Sequence, residues 1–213
     1  MVIESKFGKY DDNLARFVRA TGLVDSDNAF IRKTANDLTK DCRTALQALQ
    51  ALHSFVAYLP QGFDREDSKA SFILKKGRGQ CNTKTTLFIA LARVVLIPAR
   101  VHAWRVKKVV HRMNIPWLVY IFTPRTTLFT YPEVFYDGRW QLLSEVLTKK
   151  EHPSWGVCPF DDGANRRFPL QEEWIAQDLG SHWHPDKVYT MYGTNAAGWR
   201  SLFLPLAQAL LNR

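Results

Sequence analysis

Apolar positions recur at helical spacing through the first third of the chain. Asp25, Ser26 and Asp27 offer N-caps ahead of Phe30, Ile31 and Leu38, and from Cys42 the stripe Leu46, Leu49, Leu52, Phe55, Val56 runs to Leu59-Pro60. Residues three and four apart share one face of a helix, so this stripe predicts helices packed inward by that face. Residues 60–69 are polar and punctuated by Pro60 and Gly62, which predicts a loop leading to Ala70-Ser71-Phe72-Ile73-Leu74. The turn Lys75-Lys76-Gly77-Arg78-Gly79-Gln80 then delivers Cys81 to a run, residues 82–96, with an almost continuous apolar face. That run predicts a central buried helix. Beyond Pro98 the pattern turns to strands, predicted at 99–107, 117–123, 130–136 and 139–143, with Asp137-Gly138 as a hairpin turn between the last two. Residues 154–168, rich in Pro, Gly, Asp and Asn, predict an ordered loop with aromatic anchors. A short helix is expected over 170–179 and a docked C-terminal helix over 199–211, despite Pro205. No internal repeat or low-complexity tract interrupts this order.

Composition narrows the class. With 213 residues, 46% of them hydrophobic, one domain spanning 1–213 is the expectation. It has a helical N-terminal part (1–60) and a loop-rich and helical C-terminal part (148–213). Cys42, Cys81 and Cys158 are an odd set with neither close pairing nor zinc-type spacing, which points to a reducing, cytoplasmic setting. Residues 1–11 have no signal-type apolar region and no apolar run is long enough to span a bilayer, so a soluble protein without a membrane partner is expected. The net charge of +9 is spread over small groups: Lys75, Lys76 and Arg78; Lys107, Lys108 and Arg112; Lys149 and Lys150; Arg166 and Arg167. No run reads as a nucleic-acid tail and no DNA- or RNA-binding fingerprint is present. Long-range steering of an acidic partner is one reading of the charge; solvated surface lysines are the plain one.

The candidate chemistry starts at Cys81. At a helix N-terminus the unpaired N–H groups and the macrodipole favour thiolate, and Gly77 and Gly79 leave room for a substrate to approach the backbone. A buried small hydrophobe at a helix start is the alternative. His53, near the apolar stripe of its helix, reads as structural. Ser181-His182-Trp183-His184-Pro185-Asp186 invites a metal reading, but no third ligand can be placed and Trp183 suggests an anchored loop, so neither metal nor cofactor is expected.

A helical N-terminal part, a cysteine opening a buried helix, Ile97-Pro98-Ala99-Arg100-Val101, and strands with Glu133-Val134-Phe135-Tyr136-Asp137-Gly138-Arg139-Trp140 form an order that resembles the transglutaminase-like superfamily, whose core is shared with papain-type cysteine proteases. The resemblance covers about residues 45–147. It implies an α+β fold: a buried Cys-bearing central helix packed on an antiparallel β-sheet. It also implies a triad, in which a histidine on the next-but-one strand, within a His-x-Trp-x-Glu-Val pattern, takes and returns the thiol proton, and an acid on the following strand orients it. Aligning Glu133-Val134 with that pattern puts Phe129 at the histidine, Tyr131 at the tryptophan and Ser144 at the acid, with Glu145 beside it. Leu128 and Thr130, one position either side, are no better as bases. Ordinary protease or transglutaminase activity is therefore not expected.

His102, on the first strand after the cysteine helix, is the closest candidate replacement. Alternation places it on one face with Arg100 and Trp104. The candidate catalytic residues are Cys81 and His102, and the candidate substrate contacts are Phe129, Thr130, Tyr131, Glu133, Ser144 and Trp104. The leading expectation is a repurposed enzyme that uses Cys81 for acyl transfer, condensation or cyclisation on an activated small molecule or a thioester, with an acidic carrier protein as a candidate partner. The alternative is a pseudoenzyme or binding module of the same fold. A nucleic-acid binder rests on net charge alone.

Overall fold

The computed structural model of the chain describes residues 3–60, 62, 65–111, 117–147 and 174–193. It begins with a small antiparallel hairpin, β1 (Ile3–Ser5) and β2 (Gly8–Tyr10), and a 3-10 segment at Asp12–Val18. None of these was evident in the hydrophobic pattern. Helix α1 (Ala29–Thr39) is capped by Asn28, whose side chain accepts from the Phe30 N–H at 2.9 Å. The expected cap residue Asp25 serves a different helix. Its carboxylate accepts from the Ser71 N–H (3.0 Å) and hydroxyl (2.5 Å), holding the first turn of α3 (Ala70–Lys76). Between them α2 (Ala45–Tyr58) opens on a capping box: Thr44 Oγ1 accepts from the Gln47 N–H and Gln47 Oε1 accepts from the Thr44 N–H.

Helix α4 (Cys81–Val94) is the axis of the fold. Every residue from Asn82 to Arg93 is buried, because α1, α2 and α3 pack against one side of it and the main sheet against the other. That sheet comprises β3 (Ala99–Lys107), β4 (Thr126–Tyr136), β5 (Arg139–Leu142) and β6 (Ile175–His182), in the order β5-β4-β3-β6 with every pair antiparallel. Two short helices, α5 (Trp117–Phe122) and α6 (Leu143–Val146), precede β4 and follow β5, and α7 (Pro185–Tyr192) follows β6. Asp137 and Gly138 both take positive φ (50° and 76°), the conformation that a tight turn between twisted strands requires.

Two predicted elements change. Residues 117–122 are helical: β4 starts at Thr126, paired with Lys107, so the segment falls within the β3–β4 connection, where no strand stands beside it. An uninterrupted apolar run carries no period to distinguish the two states. The short helix expected over 170–179 is instead, from Ile175 onward, the edge strand β6, bonded to β3. The expected helix at 199–211 and loop at 154–168 lie outside the described residues, as does Cys158. None of the described helices is long and apolar enough to cross a membrane.

Candidate active site

The turn that presents Cys81 is built by its two glycines, each for its own reason. Gly77 ends α3 in the left-handed conformation (φ 68°). Gly79 is needed for close packing: a Cβ there would lie 2.8 Å from Thr83 Oγ1 and 3.1 Å from Ile73 Cγ2. At Gly79 the space expected for an approaching substrate is thus filled by the chain's own α3 and α4, whereas a Cβ at Gly77 would meet nothing within 4 Å. Backbone bonds from Gly79 N–H to Pro60 O (3.1 Å) and from Gly62 N–H to Gly79 O (3.2 Å) lace the turn to the preceding loop.

Cys81 is the first residue of α4, and its thiol donates to Asn82 Oδ1 at 3.7 Å. Asn82 fastens the helix to β4. Its Nδ2 donates to Leu128 O (3.0 Å), while its Oδ1 accepts from the Thr130 N–H (2.9 Å) and hydroxyl (3.1 Å). From α7, the Tyr189 hydroxyl donates to Asn82 O (2.9 Å) and lies 3.1 Å from Thr130 Oγ1 and 3.2 Å from Thr86 Oγ1. Cys81 as a residue keeps partial exposure, but its sulfur is enclosed closely enough that burial pushes the thiol up to about 12, with the charge of Glu66 acting in the same direction. The hydrogen bond at Asn82 and the charge of Lys84 offset this only in part. The helix N-terminus and nearby cations therefore do not win, contrary to the expectation of an activated thiol, because desolvation is the larger effect. Lys84 is itself committed: its ammonium donates to Leu59 O (2.6 Å) and Ala57 O (3.3 Å) at the end of α2, and burial lowers it to about 8.

The remaining candidates gather on the other face of the sheet. Thr130 faces α4, and in the regular β3–β4 register Ala103 stands opposite Thr130 and His102 opposite Tyr131. By alternation Arg100, His102 and Trp104 share their face with Phe129, Tyr131 and Glu133, away from α4. His102 therefore lies across the sheet from Cys81, and the strand residue toward the cysteine is Thr130 rather than Phe129. The His102 ring stacks on Trp104 at 4.2 Å. Its Nδ1 is 2.9 Å from Ser181 Oγ and 3.3 Å from Glu133 Oε1, and its Nε2 is 2.9 Å from Asp178 Oδ1. Glu133 Oε2 accepts from Arg100 Nε at 2.5 Å, and the guanidinium lies 4.2 Å over the Trp140 ring.

Asp178 and Ser181 are three residues apart and would face opposite ways on a regular strand. A register shift beside Ala103 and Trp104, with Gly180 at φ 73°, brings both onto His102. Burial would lower the His102 pKa, but the hydrogen bonds to Glu133 and Asp178 and their charges outweigh it, so it is raised. Burial would likewise raise Glu133, yet bonds from His102, Ser181 and Arg100 with the Arg100 charge hold it at about 2.

The other predicted positions are scattered. Ser144, in α6, buries a hydroxyl oxygen that has no hydrogen-bond partner, and Glu145 caps the same helix by accepting from the Leu142 N–H (2.9 Å). His53 is buried in α2. His182 Nε2 is 2.8 Å from Leu179 O, His184 Nδ1 is 2.8 Å from Asp186 Oδ2, and Asp186 Oδ1 accepts from the Leu23 N–H (2.5 Å). Among the described residues no group of three His, Cys, Asp or Glu is placed to hold a metal ion. Sequence reasoning missed Asn82, Tyr189, Asp178 and Ser181. Only Asn82 carried a signal, as the polar residue directly after the cysteine at the start of a buried helix.

The transglutaminase-like superfamily model matches residues 32–144, from α1 through the start of α6, including Cys81 and three of the four strands of the main sheet. No curated protein matches the chain. Among solved structures, it is similar to the crystal structure of a putative cysteine protease from Cytophaga hutchinsonii, at 18% identity and a TM-score of 0.49 over 62% of this chain. The match spans 42% of that protein's chain.

Proposed function

Because the chain belongs to the transglutaminase-like superfamily, we propose that it keeps the cysteine turn of that family without its triad chemistry and works as a non-covalent binding module. What supports this reading is the closed network at the start of α4. Asn82 Oδ1 accepts from the Cys81 thiol and from both Thr130 donors, and Tyr189 seals the same turn from α7. A thiol at about 12 leaves about one molecule in 100,000 ionised at neutral pH. Acyl chemistry on an amide needs a base to take that proton and an acid to return it to the leaving group. The imidazole of His102 stands on the other side of the sheet.

A second reading retains Cys81 as a nucleophile toward an activated acyl donor such as a thioester. Its partial exposure favours this. In that step the sulfur attacks the acyl carbon, the C–S bond of the donor breaks, and the thiol proton passes to the departing thiolate.

The test is the pH profile of Cys81 alkylation in a protein with Cys42 and Cys158 replaced by serine, with His102→Ala in parallel. The expected thiol pKa lies well above the free value of about 8.5, with neutral-pH alkylation slowed about a thousandfold or more. His102→Ala should leave the profile unchanged. A pKa at or below the free value, or a covalent acyl adduct on Cys81 from a model thioester, would overturn the first reading in favour of the second.

A further inference from the structure

His102 lies across the sheet from Cys81, yet it has a hydroxyl and a carboxylate of its own, one on each ring nitrogen. Ser181 Oγ is 2.9 Å from Nδ1 and Asp178 Oδ1 is 2.9 Å from Nε2. In the tautomer with the proton on Nε2, the ring donates to Asp178 and offers its Nδ1 lone pair to the Ser181 O–H. That is the order of hydroxyl, imidazole and acid that activates a serine, with the two nitrogens exchanged. Both partners of the serine are held in place: the ring stacks on Trp104 at 4.2 Å, and Asp178 Oδ1 also accepts from the Gly180 N–H at 2.8 Å.

The neighbours decide which group acts as the base. Glu133 also accepts from the Ser181 hydroxyl and stands 3.3 Å from His102 Nδ1. Bonded to Arg100 at 2.5 Å and held at about 2, it is too weak a base to take a serine proton. The imidazole is left to do so. Among the described strands β6 pairs only with β3, so Ser181 stands at an edge of the sheet, where it is partly exposed. The residue before it leaves room, since a Cβ on Gly180 would meet no atom within 4 Å.

We propose that Ser181, His102 and Asp178 form a serine esterase centre for small activated esters, on the face of the sheet away from Cys81. Ser181 Oγ attacks the acyl carbon and its proton passes to His102 Nδ1, while Asp178 holds the imidazolium through Nε2–H. The C–O bond to the alcohol then breaks and the alcohol leaves with that proton. Water attacks the acyl-serine by the same route and releases the acid, so ester and water give acid and alcohol. Asp178 has a side chain 60% exposed, so solvent screens its charge. A modestly activated imidazole suits an ester with a good leaving group and not an amide. The centre is independent of Cys81, and its test leaves the reading of the cysteine turn untouched.

The test is treatment of the full chain with a fluorophosphonate across about pH 5 to pH 8, read by intact mass and by mapping the labelled peptide. Ser181 Oγ displaces fluoride from phosphorus, so one adduct on Ser181 is expected, forming faster as pH rises and His102 loses its proton. The described charged or titratable groups on the face of the ring are Glu133 and Tyr131 from β4, Asp178 from β6 and Arg100 along β3. Ser181→Ala should abolish the adduct, and His102→Gln should slow it by about a hundredfold or more. Asp178→Asn, a change at a positioning residue, should move the onset to lower pH, because the carboxylate helps His102 keep its proton. Hydrolysis of p-nitrophenyl butyrate should fall together with the label. Urea midpoints of the variants separate loss of the nucleophile from loss of the fold, and the parent protein alone shows whether Ser181 reacts. No adduct on Ser181 in the parent, an adduct that His102→Gln forms as fast, or ester turnover no greater than that of Ser181→Ala would overturn the proposal.

Discussion

Replacing Glu133 with glutamine isolates the charge cluster on the face of the sheet away from Cys81. Glu133 is 8% exposed, and its carboxylate is held at about 2 against an ordinary 4.5. Each tenfold in proton affinity is about 1.4 kcal/mol, so the interval corresponds to about 3 kcal/mol of native stability, shared among Glu133, Arg100, His102 and Ser181. Asp178 is left out of that figure, because its side chain is 60% exposed and solvent screens it. A depressed carboxyl contributes fully above its unfolded value and loses the contribution as pH falls through the folded value. The Glu133 share is therefore complete above about pH 4.5 and fades toward about pH 2. His102 is raised, so its share is present below the ordinary value of 6.5 and is lost as pH rises through the folded one.

The assay is urea unfolding of the parent and Glu133→Gln proteins across the acid range, with NMR titration of the His102 ring. The variant should be less stable by about 3 kcal/mol near pH 5, the gap should narrow as pH falls, and the His102 pKa should drop. A gap below about 1 kcal/mol, or one that stays constant from about pH 5 to pH 3, would refute the reasoning and make the cluster ordinary screened surface charge.

Two further substitutions probe how the site is held. Asn82→Ala leaves the buried Thr130 N–H and the Leu128 carbonyl without a partner, while the Thr130 hydroxyl keeps Tyr189, so a loss of about 3 kcal/mol is expected in urea unfolding; a loss below about 1 kcal/mol would mean that water replaces the amide. Gly180→Ala forces a side chain into φ 73° at the β6 register shift, although a Cβ there would meet no atom within 4 Å. It should cost about 1 kcal/mol through backbone strain alone and disturb the His102 NMR signal, since the shift is what brings Asp178 and Ser181 together. An unchanged His102 environment would show that the strand does not need glycine to make that bend.

What the sequence disclosed and what it withheld divide along the range of the interactions involved. The glycine turn, the buried run after Cys81 and the strand at 99–107 are local patterns, and they stand where the pattern puts them because one buried face or one alternation suffices to specify each. β6 is a strand only because the free edge of β3 receives it, and α5 escapes being one because the hairpin around it closes at Lys107 and Thr126; both depend on residues far away in sequence. The position of His102 turned on a single residue of parity. Alternation grouped it correctly with Arg100 and Trp104 but could not say which face meets α4, and a one-residue difference in register exchanges the two faces of a strand. The contact that decides it is Asn82 to Thr130, a polar bridge between a helix start and a strand 48 residues on. The same bridge sets the chemistry. A helix N-terminus promises an activated thiol only while the thiol stays in contact with water, and here the sulfur is withdrawn from it, with the Asn82 amide that fixes the helix to the sheet accepting from the thiol. Burial then outweighs the dipole, and the thiol that the sequence places at a helix start is pushed up to about 12 rather than down.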